Sequence, residues 1–192
     1  MSDYGFRNRI LEVVEDGAAL ANSVAQTSLL PASALEAAFG VGHWRRGKSL
    51  LFEFSGRIST LVTSPGTLAL ALRIGSVDVF TSGAMSLNAT AQTNAHWCLR
   101  GELVCRAAGS GALTTLFPKG CTFESHAVVG SPAPAAGGAG RHMLPYNAAP
   151  ALGVGFDFTG DQKLNLLATW SVANASNSIQ LQAGHVDVYV GG

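Results

Sequence analysis

The chain has 192 residues, and its 12 basic and 12 acidic side chains cancel to a formal net charge of zero. Charged residues make up 12% of it and hydrophobic ones 47%, against about 25% charged in an average soluble protein. The longest basic run is Arg45-Arg46, which excludes the basic stripe of a dedicated nucleic-acid module, and no apolar run approaches the ~20 residues of a membrane span.

Residues 1–47 read as an extended N-terminal arm. Ile10 to Val14 form a candidate short strand, and Ser33-Ala-Leu-Glu36 has the spacing of a capping box, with Ser33 placed to cap a short helix. Gly40 and Gly42 would stop that helix near Phe39. The segment buries little by itself, so it is either laid on a neighbouring subunit or strapped across the chain's own sheet. Trp44 is followed by Arg45 and Arg46, and an aromatic beside arginines is the chemistry of an interface anchor.

Residues 48–192 read as one β-domain. In 49–60, Leu50, Phe52, Phe54, Gly56 and Ile58 alternate with Ser49, Glu53, Ser55, Arg57 and Ser59, with Leu51 out of phase. A period of two puts one set on each face of a pleated strand. The same alternation carries Leu68, Leu70, Leu72 and Ile74, then Trp97, Leu99, Leu103 and Cys105, then Leu164, Leu166, Ala168 and Trp170. A strand beginning at Leu113 breaks at Pro118-Lys-Gly120 and resumes at Phe123. Residues 130–140 form a low-complexity loop of glycine, alanine and proline. In the last strand the apolar parity switches at Ala183-Gly184, as a β-bulge would require. The count is roughly eight to ten antiparallel strands, the number of a jelly-roll-type β-sandwich, so the fold class is all-β.

No residue spacing in the chain points to catalytic chemistry. The histidines at 43, 96, 126, 142 and 185 include no His-x-His pair, and Cys98, Cys105 and Cys121 form no ligand motif. There is no nucleophile elbow and no phosphate-cradling glycine loop. The cysteines read as buried, reduced thiols. The expectation is a non-enzymatic protein with no catalytic residues, no metal and no cofactor. The N-terminus lacks the order of a signal peptide, so the expectation is a chain made and kept in the cytoplasm until assembly.

Three segments and the chain's ending carry a resemblance. They are Phe54-Ser-Gly-Arg-Ile-Ser-Thr60, Gly66-Thr-Leu-Ala-Leu-Ala-Leu-Arg-Ile-Gly75 and Ala95-His-Trp-Cys-Leu-Arg-Gly-Glu-Leu-Val-Cys-Arg106. The ending has Leu166-Leu-Ala-Thr-Trp-Ser-Val and a valine-rich last strand. Over about residues 48–190 the pattern resembles a tailed-bacteriophage virion module, similar to head decoration proteins and fibre-type domains. The resemblance implies a jelly roll that assembles as a homotrimer, without enzymatic activity, and it supplies no catalytic residues. The expected role is a capsid decoration, or cement, protein on the virion exterior, whose partners are copies of itself and the major capsid protein. Leu51, Phe80, Leu167 and Tyr189 are apolar residues on outward parities, and they are the expected subunit contacts. Trp44, Arg45 and Arg46 are the expected capsid contact. The rival role is a receptor- or carbohydrate-binding fibre head, presenting Tyr146, Asn147 and the 174–177 turn.

Overall fold

Alternation in the sequence becomes alternation of burial. In 48–60 the inward residues Leu50, Phe52, Phe54 and Ile58 are closed to solvent while Glu53 and Arg57 face water. A computed structural model describes residues 6–36, 38–61, 63–109, 113–130, 139–157 and 159–190. In chain order it has β1 (Phe6–Val13), β2 (Leu20–Ala21), β3 (Thr27–Ser28), a 3₁₀ turn (Ala32–Glu36), β4 (Ala38–Phe39) and β5 (Lys48–Thr60). β6 (Thr67–Ile74), β7 (Val77–Thr81), β8 (Met85–Ser86), β9 (Gln92–Ala107) and β10 (Thr114–His126) follow. The last are β11 (Ala139–Met143), β12 (Gly153–Phe156), β13 (Gln162–Trp170) and β14 (Ser178–Val190).

These strands form two antiparallel sheets packed as a sandwich. The larger, eight-stranded sheet runs β1-β14-β5-β9-β10-β11, with β12 also on β10 and β2 on β14. The smaller, six-stranded sheet runs β3-β13-β6-β7, with β4 on β13 and β8 on β6. The chain crosses repeatedly between sheets, for example from β5 to β6 and from β13 to β14. Their inner faces share one apolar core, as when Phe52 of β5 meets Phe80 of β7 with ring centres 5.8 Å apart. Trp97 and Trp170 are interior, as their parities predict. Gly56 sits where another backbone comes too close for a side chain: a Cβ there would stand 2.0 Å from the Gln180 carbonyl oxygen.

The described part of residues 1–47 is not a separate arm, and the boundary at 47/48 does not divide the packing. β1 pairs with β14 from Phe6↔Val190 to Val13↔Gly184, and β3 and β4 pair with β13 in the other sheet. The segment therefore spans both layers, and Leu11, Val13, Leu20, Leu29, Leu30 and Phe39 are core residues. Gly17 pins the crossing. Its N–H donates to the Leu181 carbonyl at 2.9 Å, and a Cβ there would lie 2.0 Å from the Leu29 carbonyl oxygen.

Three local expectations are also corrected or refined. Ser33 does not cap a helix: it lies inside the 3₁₀ turn and donates its hydroxyl to Glu15 at 2.5 Å. The strand at Pro118 is bulged instead of broken, with its register on β9 shifting between Lys119 and Thr122. β12 pairs with β10 only at Thr114–Leu116 and β11 only from Thr122 onward. Pro118 falls in the gap between them, where no second neighbour needs its missing N–H. The bulge in β14 lies between Leu181 and Ala183, where the parity switch puts it. Of the low-complexity loop, residues 131–138 lie outside the described residues, and 139–140 already belong to β11.

Candidate functional site

The larger sheet presents a regular outward face, where strand register sets side chains side by side. One rung reads Tyr189–Ser49–Val104–Phe117 across β14, β5, β9 and β10. Tyr189 is 40% exposed, and Val104 and Phe117 are half-buried. The Arg106 guanidinium lies 5.2 Å over the Phe117 ring, which holds a cation beside the strip. The next rung is Asp187–Leu51–Glu102–Lys119, with Leu51 half-buried and Lys119 paired to Glu102 at 3.1 Å. An apolar strip thus lies against a rung of ion pairs. Two rungs further, Glu124 accepts from Arg100 at 2.5 Å and pairs with Arg141 at 3.2 Å. The hydrogen bond from Arg100 holds the Glu124 carboxyl below its ordinary value, against a smaller opposing effect of burial.

Asp187 anchors one edge of this face. It is 1% exposed and receives Arg7 Nε at 2.6 Å and Arg9 Nε at 3.0 Å from the edge strand β1. Burial pushes its carboxyl upward, but the hydrogen bonds from Arg9 and Arg7 and their charges outweigh burial and hold it below its ordinary value. His185 lies 3.7 Å away on the same strand. The sequence carries a faint trace of this clamp: Arg7 and Arg9 share a face at spacing two, and Asp187 interrupts Val186 and Val188. Nothing in it says that the two ends of the chain pair.

The structure divides the expected contact residues. Leu51 and Tyr189 lie on the outward strip. Phe80 does not: the β6–β7 register shifts between Leu72 and Arg73, so Val79 and Phe80 both turn inward and Phe80 is 4% exposed. Leu167 is buried as well. β13 has β3 and the 3₁₀ turn against it, and Leu167 and its cross-strand partner Ala71 are closed off from solvent. Trp44 is 3% exposed and packs on Phe39 and His43, with ring centres 5.0 and 5.3 Å away. It is a core residue of its own domain and not a surface anchor, whereas Arg45 and Arg46 are exposed.

The aromatic cluster carries a titratable group. Burial, then the nearby Lys48 cation, lowers the His43 imidazole to about 4. Its Nε2 finds no hydrogen-bond partner among the described residues. Lys48 donates to the His43 carbonyl at 2.6 Å, and burial lowers its own ammonium. Cys98, Cys105 and Cys121 are free thiols, with Cys121 pushed up to about 11 chiefly by burial. Among the described residues no group of three or more His, Cys, Asp or Glu side chains is arranged to hold a metal ion. Asn177 in the 174–177 turn is fully buried and structural, and Tyr146 packs against the core.

Comparison with protein-family models finds no match, and comparison with curated proteins finds none.

Proposed function

We propose that the chain is a non-enzymatic structural protein of a bacteriophage virion, a capsid decoration protein that joins copies of itself and binds the major capsid lattice. Its strand orders β1-β14-β5-β9 and β3-β13-β6-β7 agree with eight strands wound as a jelly roll, with β10, β11 and β12 added beyond β9. The observation that carries the reading is the in-register strip of Tyr189, Val104 and Phe117, with Leu51 on the next rung among the ion pairs of Asp187 and Glu102. Apolar centres with charged rims are the composition of protein–protein contacts. In this reading Leu51 and Tyr189 serve the contact between copies, assembled as a trimer, and exposed Arg45 and Arg46 face the capsid. The role is binding: bridges across capsid joints resist internal pressure.

Purified chain added back to particles stripped of it tests this directly. The expected result is saturable binding and recovered resistance to heat. Particles equally heat-resistant with and without the chain would overturn the proposal.

A further inference from the structure

At one end of the sandwich, β5 finishes, β9 begins and the turn before β14 closes over them. They line a shallow, open cleft of about 380 Å³. Its polar lining comes from Ser59, Thr60, Gln92, Thr93, Ser176 and Ser178, with small or aliphatic side chains between them and no ionisable group. The volume is within the range of small-ligand sites, about 300–1,000 Å³.

Hydrogen bonds tie the walls to the backbone, the one from Asn177 to Pro65 buried and the others nearer the surface. Asn177, wholly closed to solvent, accepts the Leu61 N–H at 2.8 Å through Oδ1 and donates from Nδ2 to the Pro65 carbonyl at 3.1 Å. Asn174 Oδ1 accepts the Ser176 N–H at 2.8 Å. On the opposite wall, Ser59 Oγ accepts the Asn94 N–H at 3.0 Å and Thr60 Oγ1 accepts the Gln92 N–H at 3.3 Å. A hydroxyl that accepts from a backbone amide still has its own hydrogen to donate. The cleft thus offers hydroxyl and amide groups at positions set by the backbone.

We propose that this cleft binds a neutral polyhydroxylated ligand, one or two residues of a glycan. A charged ligand would find no counter-charge on the lining. An apolar one would strip water from hydroxyls and give nothing back. A neutral sugar exchanges its water hydrogen bonds for those of the walls, whose geometry is already set. The lining has no aromatic ring for a sugar to stack on, so affinity should be millimolar. The site does not depend on the decoration role and can be tested on the free chain.

The experiment is a titration of ¹⁵N-labelled chain, followed by amide chemical shifts, with lactose, maltotriose and chitobiose and with inorganic phosphate as a charged control. The expected result is saturable shifts at Leu61, Gln92, Thr93 and Ser176 with at least one of the sugars and none with phosphate. Thr93→Val and Ser176→Ala, both at exposed positions, should each weaken that binding about fivefold, the loss of one net hydrogen bond, with the remaining spectrum unchanged. Absence of shifts at these amides with all three sugars would overturn the proposal. So would equal shifts with phosphate, or unaltered affinity in both variants.

Discussion

Asp187 and His43 set how the molecule should answer to acid, and they do so in separate windows. His43 has its folded value lowered to about 4 from an ordinary value of about 6.5. Its contribution is complete above the higher figure and is lost as pH falls through the lower one, on the order of 2 kcal/mol. Unfolding free energy measured in urea should therefore decline from about pH 6.5 to pH 4. A His43→Phe variant, which keeps a ring against Phe39 and Trp44, should lose that decline. Asp187 acts lower. Its depressed value means stability present above about pH 3.9, the unfolded carboxylate, and lost as pH falls through the folded value. Removing the acid frees two arginines that already reach water, with side chains 57% and 44% exposed. Removing both arginines leaves a buried carboxylate beside the His185 ring. Asp187→Asn should cost about 1–2 kcal/mol and flatten the acid limb, whereas Arg7→Ala with Arg9→Ala, which strands the carboxylate, should cost more. Equal losses in the two variants would contradict the clamp.

At the scale of elements, the strip across β14, β5, β9 and β10 separates contact residues from core residues. Leu51→Arg combined with Tyr189→Arg should leave the fold within about 1 kcal/mol of its stability and shift light-scattering mass toward the monomer. Trp44→Ala should instead lose about 3–5 kcal/mol, because it empties a packed aromatic cluster. The long strands were legible because their two faces meet different surroundings, so that Phe52 and Glu53 declare the period by themselves. β2, β3 and β4 were not, since two residues cannot display a period, and their absence made 1–47 read as an arm. Phe80 and Leu167 were misplaced by the same logic. Parity assigns faces only while the register holds and one face stays open. A shift beside Leu72 re-phases β7, and the N-terminal segment against β13 leaves Leu167 no solvent. Within the candidate site, Leu51 and Tyr189 could be picked by parity, but Val104 and Phe117 join them only through cross-strand register, which single strands do not reveal.

For the whole molecule, the scarcity of charge and the zero net charge favour association over a solitary monomer. The charges that are present on the larger sheet are largely spent on one another, as in Lys119–Glu102 and Arg100–Glu124, which leaves the apolar strip as the feature able to recruit a neighbour. A decoration role makes a demand that no fibre or tail role makes: the chain must be present in proportion to the capsid lattice. Quantitative mass spectrometry of purified virions, comparing this chain with the major capsid protein, measures that proportion. A decoration protein should be present at a copy number that scales with the number of capsid subunits, at a fixed ratio. A few copies per particle, or none, would contradict that role.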